Sequence, residues 1–207
     1  MEFLKKSSRS ILTIIFVLTG LSVLAQSAVH EAFVKSYSFE KDGEYKKAAD
    51  AVKEVYDASS YEINLRLGWL NYQAGVFTES IAHYQKSLEL KPYSEEAKFG
   101  LIYPYAAVGN WDKVIVLYQK ILQNSPNNTI ANYRLGLIYY GKKDYVKAHK
   151  HFNTVVDLYP FDYDGLLMLA WTNYQQSKLR EAKVLFNKVL LYAPDDKSAL
   201  EGLSLIK

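Results

Sequence analysis

The stretch Thr129–Asp162, TIANYRLGLIYYGKKDYVKAHKHFNTVVDLYPFD, decides the fold. It reads as two helical runs that meet near Gly141, and it closes on Pro160. Pro160 belongs to a series: four of the chain's five prolines are Pro92, Pro126, Pro160 and Pro194, separated by one constant interval. Each ends a similar phrase, LELKP at 88–92, LQNSP at 122–126, DLYP at 157–160 and LYAP at 191–194. Proline cannot continue a helix interior, and it pushes the residue before it away from helical geometry. Each phrase therefore marks a helix end. A fixed period of this length predicts one helix–turn–helix unit per repeat.

Aligned on these prolines, the chain divides into Tyr61–Ser94, Glu95–Asn128, Thr129–Asp162 and Tyr163–Asp196. An earlier segment, Val29–Ser60, fits with two residues fewer. Residues Lys197–Lys207 begin a sixth unit and supply one helix, expected to cap the last repeat. Thr129–Asp162 carries Leu135-Gly136, Tyr139, Tyr145, Ala148, Phe152 and Pro160. Tyr61–Ser94 repeats the pattern with Leu67-Gly68, Tyr84 and Pro92, and Tyr163–Asp196 with Leu169-Ala170, Ala182, Phe186 and Pro194. Glu95–Asn128 keeps Leu101, Tyr105, Tyr118 and Pro126, with Val114 at the small position. The first segment keeps Tyr45 and Ala48 after Gly43. With these residues in register, the chain resembles the tetratricopeptide repeat family. The resemblance implies an all-α fold, a right-handed α-solenoid of tandem helix pairs. It implies a protein-interaction role without naming a partner.

The packing logic stands on the residues themselves. Small residues at Gly68, Gly136 and Ala170, opposed by Ala148 and Ala182, let paired helices approach closely. Leu67, Leu101, Leu135 and Leu169, with Tyr84, Tyr118, Phe152 and Phe186, fill the space between pairs. No pair buries its apolar face alone, so stacking supplies stability. Gly43, Gly75, Gly109 and Gly141 fall between first and second helices, where a left-handed residue is expected. Pro104 is the proline outside the period; its ring would clash with the carbonyl of Gly100, so a kink is expected there. In the last helix, Leu200, Leu203 and Ile206 are expected to face inward, with Lys197, Glu201 and Lys207 in water.

The N-terminus lies outside the register. Lys5, Lys6 and Arg9 precede an apolar run, Ile11–Ala25. That run is short for a membrane span and suits a secretory signal occupying residues 1–25. Cleavage is expected after Ala25, with Ser27 as a second choice; the alternative is a retained membrane anchor. No cysteine is present, which removes a disulfide framework, a thiol nucleophile and a lipoprotein anchor. Loss of Glu2, Lys5, Lys6 and Arg9 lowers the net charge from +3 to +1, which leaves no electrostatic case for nucleic acid. The part that remains, 26–207, suffices for one repeat domain. With such a signal, the protein is expected in a bacterial periplasm or cell envelope.

In the family architecture the first helix of each pair lines an inner face, and positions two, five, nine and twelve of each repeat are usually exposed there. Position five holds Phe33, Leu65, Phe99, Tyr133 and Leu167; position nine holds Tyr37, Trp69, Tyr103, Leu137 and Trp171. Position twelve holds Glu40, Tyr72, Ala106, Tyr140 and Tyr174. The spacing of four and three places these on one helical face, separate from the packing positions. One reading has the rings fill the groove by packing on one another; the other leaves them partly exposed to bind a partner segment. Some family members hold acidic chaperone tails with Lys, Asn and Arg. Here only Arg66, Arg134 and Asn132 suit a carboxylate, and the alternative for the arginines is pairing with the next repeat.

Catalytic constellations are missing from the sequence: His149 and His151 diverge on a helix, and no HExxH, GxSxG or phosphate-loop motif occurs. Carboxylates such as Glu95-Glu96 and Asp195-Asp196 fall at helix starts, where they complement the dipole. No cofactor or metal is expected. The sequence reads as a non-catalytic scaffold or adaptor that binds a partner on an aromatic inner face. Its rivals are a self-assembling structural protein and a membrane-anchored assembly factor.

Overall fold

The computed structural model describes residues 27–206, and these are all helix and turn. The signal segment and its cleavage site lie outside the described residues, as does Lys207. The helices are α1 (27–41), α2 (Tyr45–Lys53), α3 (Tyr61–Gln73), α4 (Phe77–Leu90), α5 (Glu95–Ala107), α6 (Trp111–Asn124), α7 (Thr129–Gly141), α8 (Tyr145–Leu158), α9 (Tyr163–Gln175), α10 (Leu179–Tyr192) and α11 (Lys197–Leu205). The fold is all-α, built from tandem helix pairs of the solenoid class.

The period is visible in the caps. Ser60, Ser94, Asn128, Asp162 and Asp196 recur at the same interval as the prolines, and each side chain accepts a hydrogen bond from the backbone N–H three residues on. This satisfies an amide that the first helical turn leaves free. Before four of these caps a proline closes the previous helix and the cap two residues later starts the next; before Ser60 that place is held by Ala58. At the start of α5 the cap is Ser94, while Glu95 and Glu96 sit in the first turn near the positive end of the dipole.

The helices form two compact units that divide after Val108. In the first, α1–α5 enclose a core of Ala48, Ala49, Val52, Ile63, Leu67 and Leu70. In the second, α6–α11 enclose a core in which Leu166, Ala170, Ala182, Phe186, Val189 and Ala199 are fully buried. The small residues serve close approach. A Cβ added at Gly136 would stand 2.6 Å from the Phe152 ring, and one at Gly202 would stand 2.3 Å from Phe186. Tyr84 is held between Gly68, where an added Cβ would meet Cγ at 2.8 Å, and Gly100, where it would meet Cε1 at 2.2 Å.

Several expectations need correction. The turn between α7 and α8 does not use Gly141. Its left-handed residue is Lys143 (φ 59°), and Ser177 (φ 61°) takes that place between α9 and α10. Gly43, Gly75 and Gly109 do occupy the left-handed region, at φ 76°, 76° and 73°. Pro104 does not end α5, which is helical from Glu95 to Ala107, and the glycine at 100 also makes room for the Tyr84 ring. In α11 the inward face is Ala199, Gly202, Leu203 and Ile206, whereas Leu200 is 47% exposed. Gly202 faces inward because Phe186 fills the space that a side chain there would need.

Candidate functional site

The first unit carries the site. Residues four apart on a helix share a face, so Phe33 and Tyr37 on α1, Leu65 and Trp69 on α3, and Phe99 and Tyr103 on α5 form three rungs. Together with Tyr61, Glu62, Arg66, Tyr84, Glu96 and Gly100 they line an open cavity of about 630 Å³. Of the fifteen residues nominated from sequence, seven meet here: Phe33, Tyr37, Leu65, Arg66, Trp69, Phe99 and Tyr103. Tyr37 and Tyr103 are the exposed rings, at 56% and 51%, while Phe33, Leu65, Trp69 and Phe99 are half-buried. Tyr72 stands beside the cavity, its ring 5.4 Å from Tyr103 and 6.0 Å from Trp69.

A buried polar cluster fixes one wall. Arg66 is 8% exposed; its Nη1 lies 2.6 Å from Glu40 Oε2, and its Nε and Nη2 donate to Ser36 Oγ at 3.1 and 2.9 Å. The guanidinium carbon sits 3.9 Å from the centre of the Tyr37 ring. Trp69 Nε1 donates to the other Glu40 oxygen at 2.5 Å. Arg66 thus pairs with the preceding repeat, and its charge is matched inside the protein. A forked, stacked arginine of this kind sets both rings in place before any partner arrives.

Two carboxylates stand at the opening. Glu62 is solvated, with Lys91 Nζ 3.2 Å away; that ammonium also lies 3.9 Å over the Tyr61 ring. A backbone hydrogen bond, then Lys91, hold the Glu62 carboxyl below its usual range. Glu96 accepts from the Tyr61 hydroxyl at 3.3 Å. Neither carboxylate was among the nominated residues, although they occupy the second position of successive repeats, which faces inward in the family architecture. Tyr61 is pushed up mainly by burial, and Tyr84, filling the floor, is pushed up for the same reason.

The stripe is not separate from the packing. Trp69 and Phe33 pack against the core of the first unit, and Leu167, Trp171 and Tyr174 pack against that of the second. Phe33 and Trp69 meet residues of α2 and α3, and Leu167, Trp171 and Tyr174 meet residues of α9, α10 and α11. Successive first helices also touch directly, α3 with α5, α7 with α9 and α9 with α11. In the second unit the rings are committed further. Trp171 lies 5.0 Å from Phe186 and donates to Ser198 Oγ at 2.8 Å. Tyr133 lies 5.8 Å from Phe152, and Tyr140 lies 5.4 Å from Tyr145. Leu137 is half-buried on α7, and Arg134 is exposed. Asn132 is buried; its Nδ2 donates to the Pro126 and Asn128 carbonyls, and its Oδ1 faces His151 Nδ1 at 3.0 Å. Asn64 does the same for His83, at 3.1 Å. With the amide nitrogens donating, each ring must carry its proton on Nδ1. Among the described residues, no group of three His, Asp or Glu side chains is placed to hold a metal. No described helix is long and apolar enough to cross a membrane.

Residues 33–95, 130–162 and 164–196 each match the tetratricopeptide repeat, and together these matches cover more than half of the 207 residues. The chain belongs to the tetratricopeptide repeat family. Solved structures agree in fold. A tetratricopeptide repeat protein from Parabacteroides merdae ATCC 43184 aligns with a TM-score of 0.74 at 20% identity, over 87% of this chain and 72% of that one. A MamA protein aligns with a TM-score of 0.69 at 20% identity, over 80% of this chain and 91% of its own. MamA from Desulfovibrio magneticus RS-1 gives 0.69 at 19% identity, over 82% and 97%. No curated protein matches the sequence. For a tetratricopeptide repeat chain, the general reading is a scaffold for protein–protein interaction.

Proposed function

We propose that this tetratricopeptide repeat protein is a non-catalytic adaptor of a bacterial cell envelope, and that it holds a segment of a partner protein in the groove between α1, α3 and α5. The cavity of about 630 Å³, walled by aromatic rings of which the Arg66–Glu40 pair holds Tyr37 and Trp69, is the observation that carries this reading. Tyr and Trp bring large contact area at little rotamer cost, and such rings dominate binding energy at interfaces. A pre-set groove also loses less freedom on binding. Export rests on the apolar run Ile11–Ala25 behind Lys5, Lys6 and Arg9.

The test is a crosslinking pull-down from envelope extract with the parent and a Tyr37→Ala/Tyr103→Ala variant. These two rings are exposed, so the variant keeps its core; circular dichroism verifies the fold. A partner captured by the parent and lost by the folded variant supports the groove. Equal capture moves recognition elsewhere on the surface. N-terminal sequencing of the protein from cells separates the forms: a start at Gln26 supports the exported adaptor, and a start at Met1 favours the anchored assembly factor.

A further inference from the structure

The groove also has a polarity. Its charged lining comprises Glu62, Arg66 and Glu96. Arg66 is buried and satisfied by Glu40 and Ser36, so its charge is not presented to a ligand. Glu62 faces solvent, paired with the exposed end of Lys91. Glu96 is exposed, and it accepts from the Tyr61 hydroxyl. The surface facing an incoming chain is therefore aromatic rings bordered by carboxylates. Two cations of the chain itself already use this chemistry. The Arg66 guanidinium lies on the Tyr37 face beside Glu40, and the Lys91 ammonium lies on the Tyr61 face beside Glu62.

We propose that the groove of α1, α3 and α5 takes an extended peptide with alternating basic and apolar residues, a lysine or arginine reaching Glu96 and Glu62 while apolar side chains lie on Tyr37, Leu65, Phe99 and Tyr103. This rests on the groove reading above and adds the partner's charge. Ring faces attract cations, and carboxylates at the rim raise the encounter rate and select the sign of the partner. An acidic segment would meet Glu96 as a like charge at the entrance, while the charge of Glu62 is partly offset by Lys91.

The experiment uses the full chain and three fluorescein-labelled decapeptides in which phenylalanine alternates with lysine, glutamine or glutamate. Fluorescence anisotropy at low and at high NaCl reads affinity. The lysine peptide is expected to bind best, by roughly fivefold for each carboxylate it meets, with the advantage shrinking at high salt. Glu62→Gln/Glu96→Gln changes two exposed groups and leaves the fold intact; it is expected to abolish the lysine preference and leave the glutamine peptide unchanged. Equal binding of the three peptides, a glutamate preference, or a lysine preference that survives the double variant overturns the inference. If the glutamine peptide binds and loses affinity in Tyr103→Ala without any lysine preference, the charge inference fails while the groove reading stands. If no peptide binds, the charge inference fails, and the pull-down decides the groove reading by itself.

Discussion

Glycine-to-alanine substitutions at two helical sites should change stability in opposite directions. Gly100 lies inside α5, and Gly141 ends α7. In an exposed helix interior the change to alanine gains about 1 kcal/mol, because glycine has more backbone freedom to lose. At Gly141 nothing lies within 4 Å of the added methyl group, and its φ is outside the left-handed region. As the last helical residue it should gain about half of that, raising Tm by about 1–2 °C. At Gly100 the new Cβ would stand 2.2 Å from Tyr84 Cε1 and 2.5 Å from Cζ. The ring cannot step back, because Tyr84 is 3% exposed and an added Cβ at Gly68 would already be within 2.9 Å of its near end. Overpacking of this kind costs about 1–3 kcal/mol. At the upper end, reduced by the propensity gain, the net loss is about 2 kcal/mol, or about 4–8 °C in Tm. Thermal melts followed by circular dichroism read both. A second cycle in the Tyr84→Leu background should shrink the cost of Gly100→Ala, since the clashing ring is gone. A Gly100→Ala protein as stable as the parent, or a cost unchanged by Tyr84→Leu, would refute the sandwich account.

Other positions give independent checks. Lys143→Gly and Ser177→Gly relieve left-handed residues at φ 59° and 61°, and each should raise stability by about 1 kcal/mol in urea titration, with no change in helix content. Arg66→Lys should destabilise by about 2 kcal/mol and shift the tryptophan emission, because one ammonium cannot serve Glu40, Ser36 and the Tyr37 face together; full stability in Arg66→Lys would mean the fork is idle. Burial lowers the pKa of His83, His149 and His151 below 6.5. The unfolded chain therefore takes up protons first as pH falls, so stability held above about pH 6.5 is lost as pH drops through the folded values. Tm at about pH 5.5 should lie below that at about pH 7.5, and His83→Gln/His151→Gln should flatten the slope.

Much of this was legible because a solenoid repeats its chemistry. The period set by Pro92 and Pro126 also places the caps Ser60, Ser94, Asn128, Asp162 and Asp196, and the buried rings Tyr84, Tyr118, Phe152 and Phe186. The same period applied to Gly75 and Gly109 leads to positions 143 and 177, which hold lysine and serine. Reading Gly141 as the turn residue followed glycine's preference and ignored the register. Packing of consecutive helices fixes the turn geometry, so a residue with a side chain is driven into the left-handed region when glycine is absent. The separateness of the aromatic stripe was not legible either. Helical spacing tells which residues share a face, but whether that face is covered depends on how the helix pairs pack around it, as Phe186 and Ser198 of the following helices do at Trp171.

Charge was the hardest property to read, for a related reason. By type alone, Arg66 is the cation in the groove and suggests an anionic partner. In the fold it lies 2.6 Å from Glu40, in the preceding repeat, and the pair cancels within the wall. What remains on the surface is set by Glu62 and Glu96, with the exposed Lys91 beside the first of them. The sign offered to a partner thus depends on which charges are matched internally, and that matching depends on side-chain geometry across repeats. A buried ion pair contributes little net stability against an apolar replacement. Its consequence here lies in the site: it orients Tyr37 and Trp69 and withdraws the arginine from recognition. The groove keeps its shape from a cation while presenting carboxylates.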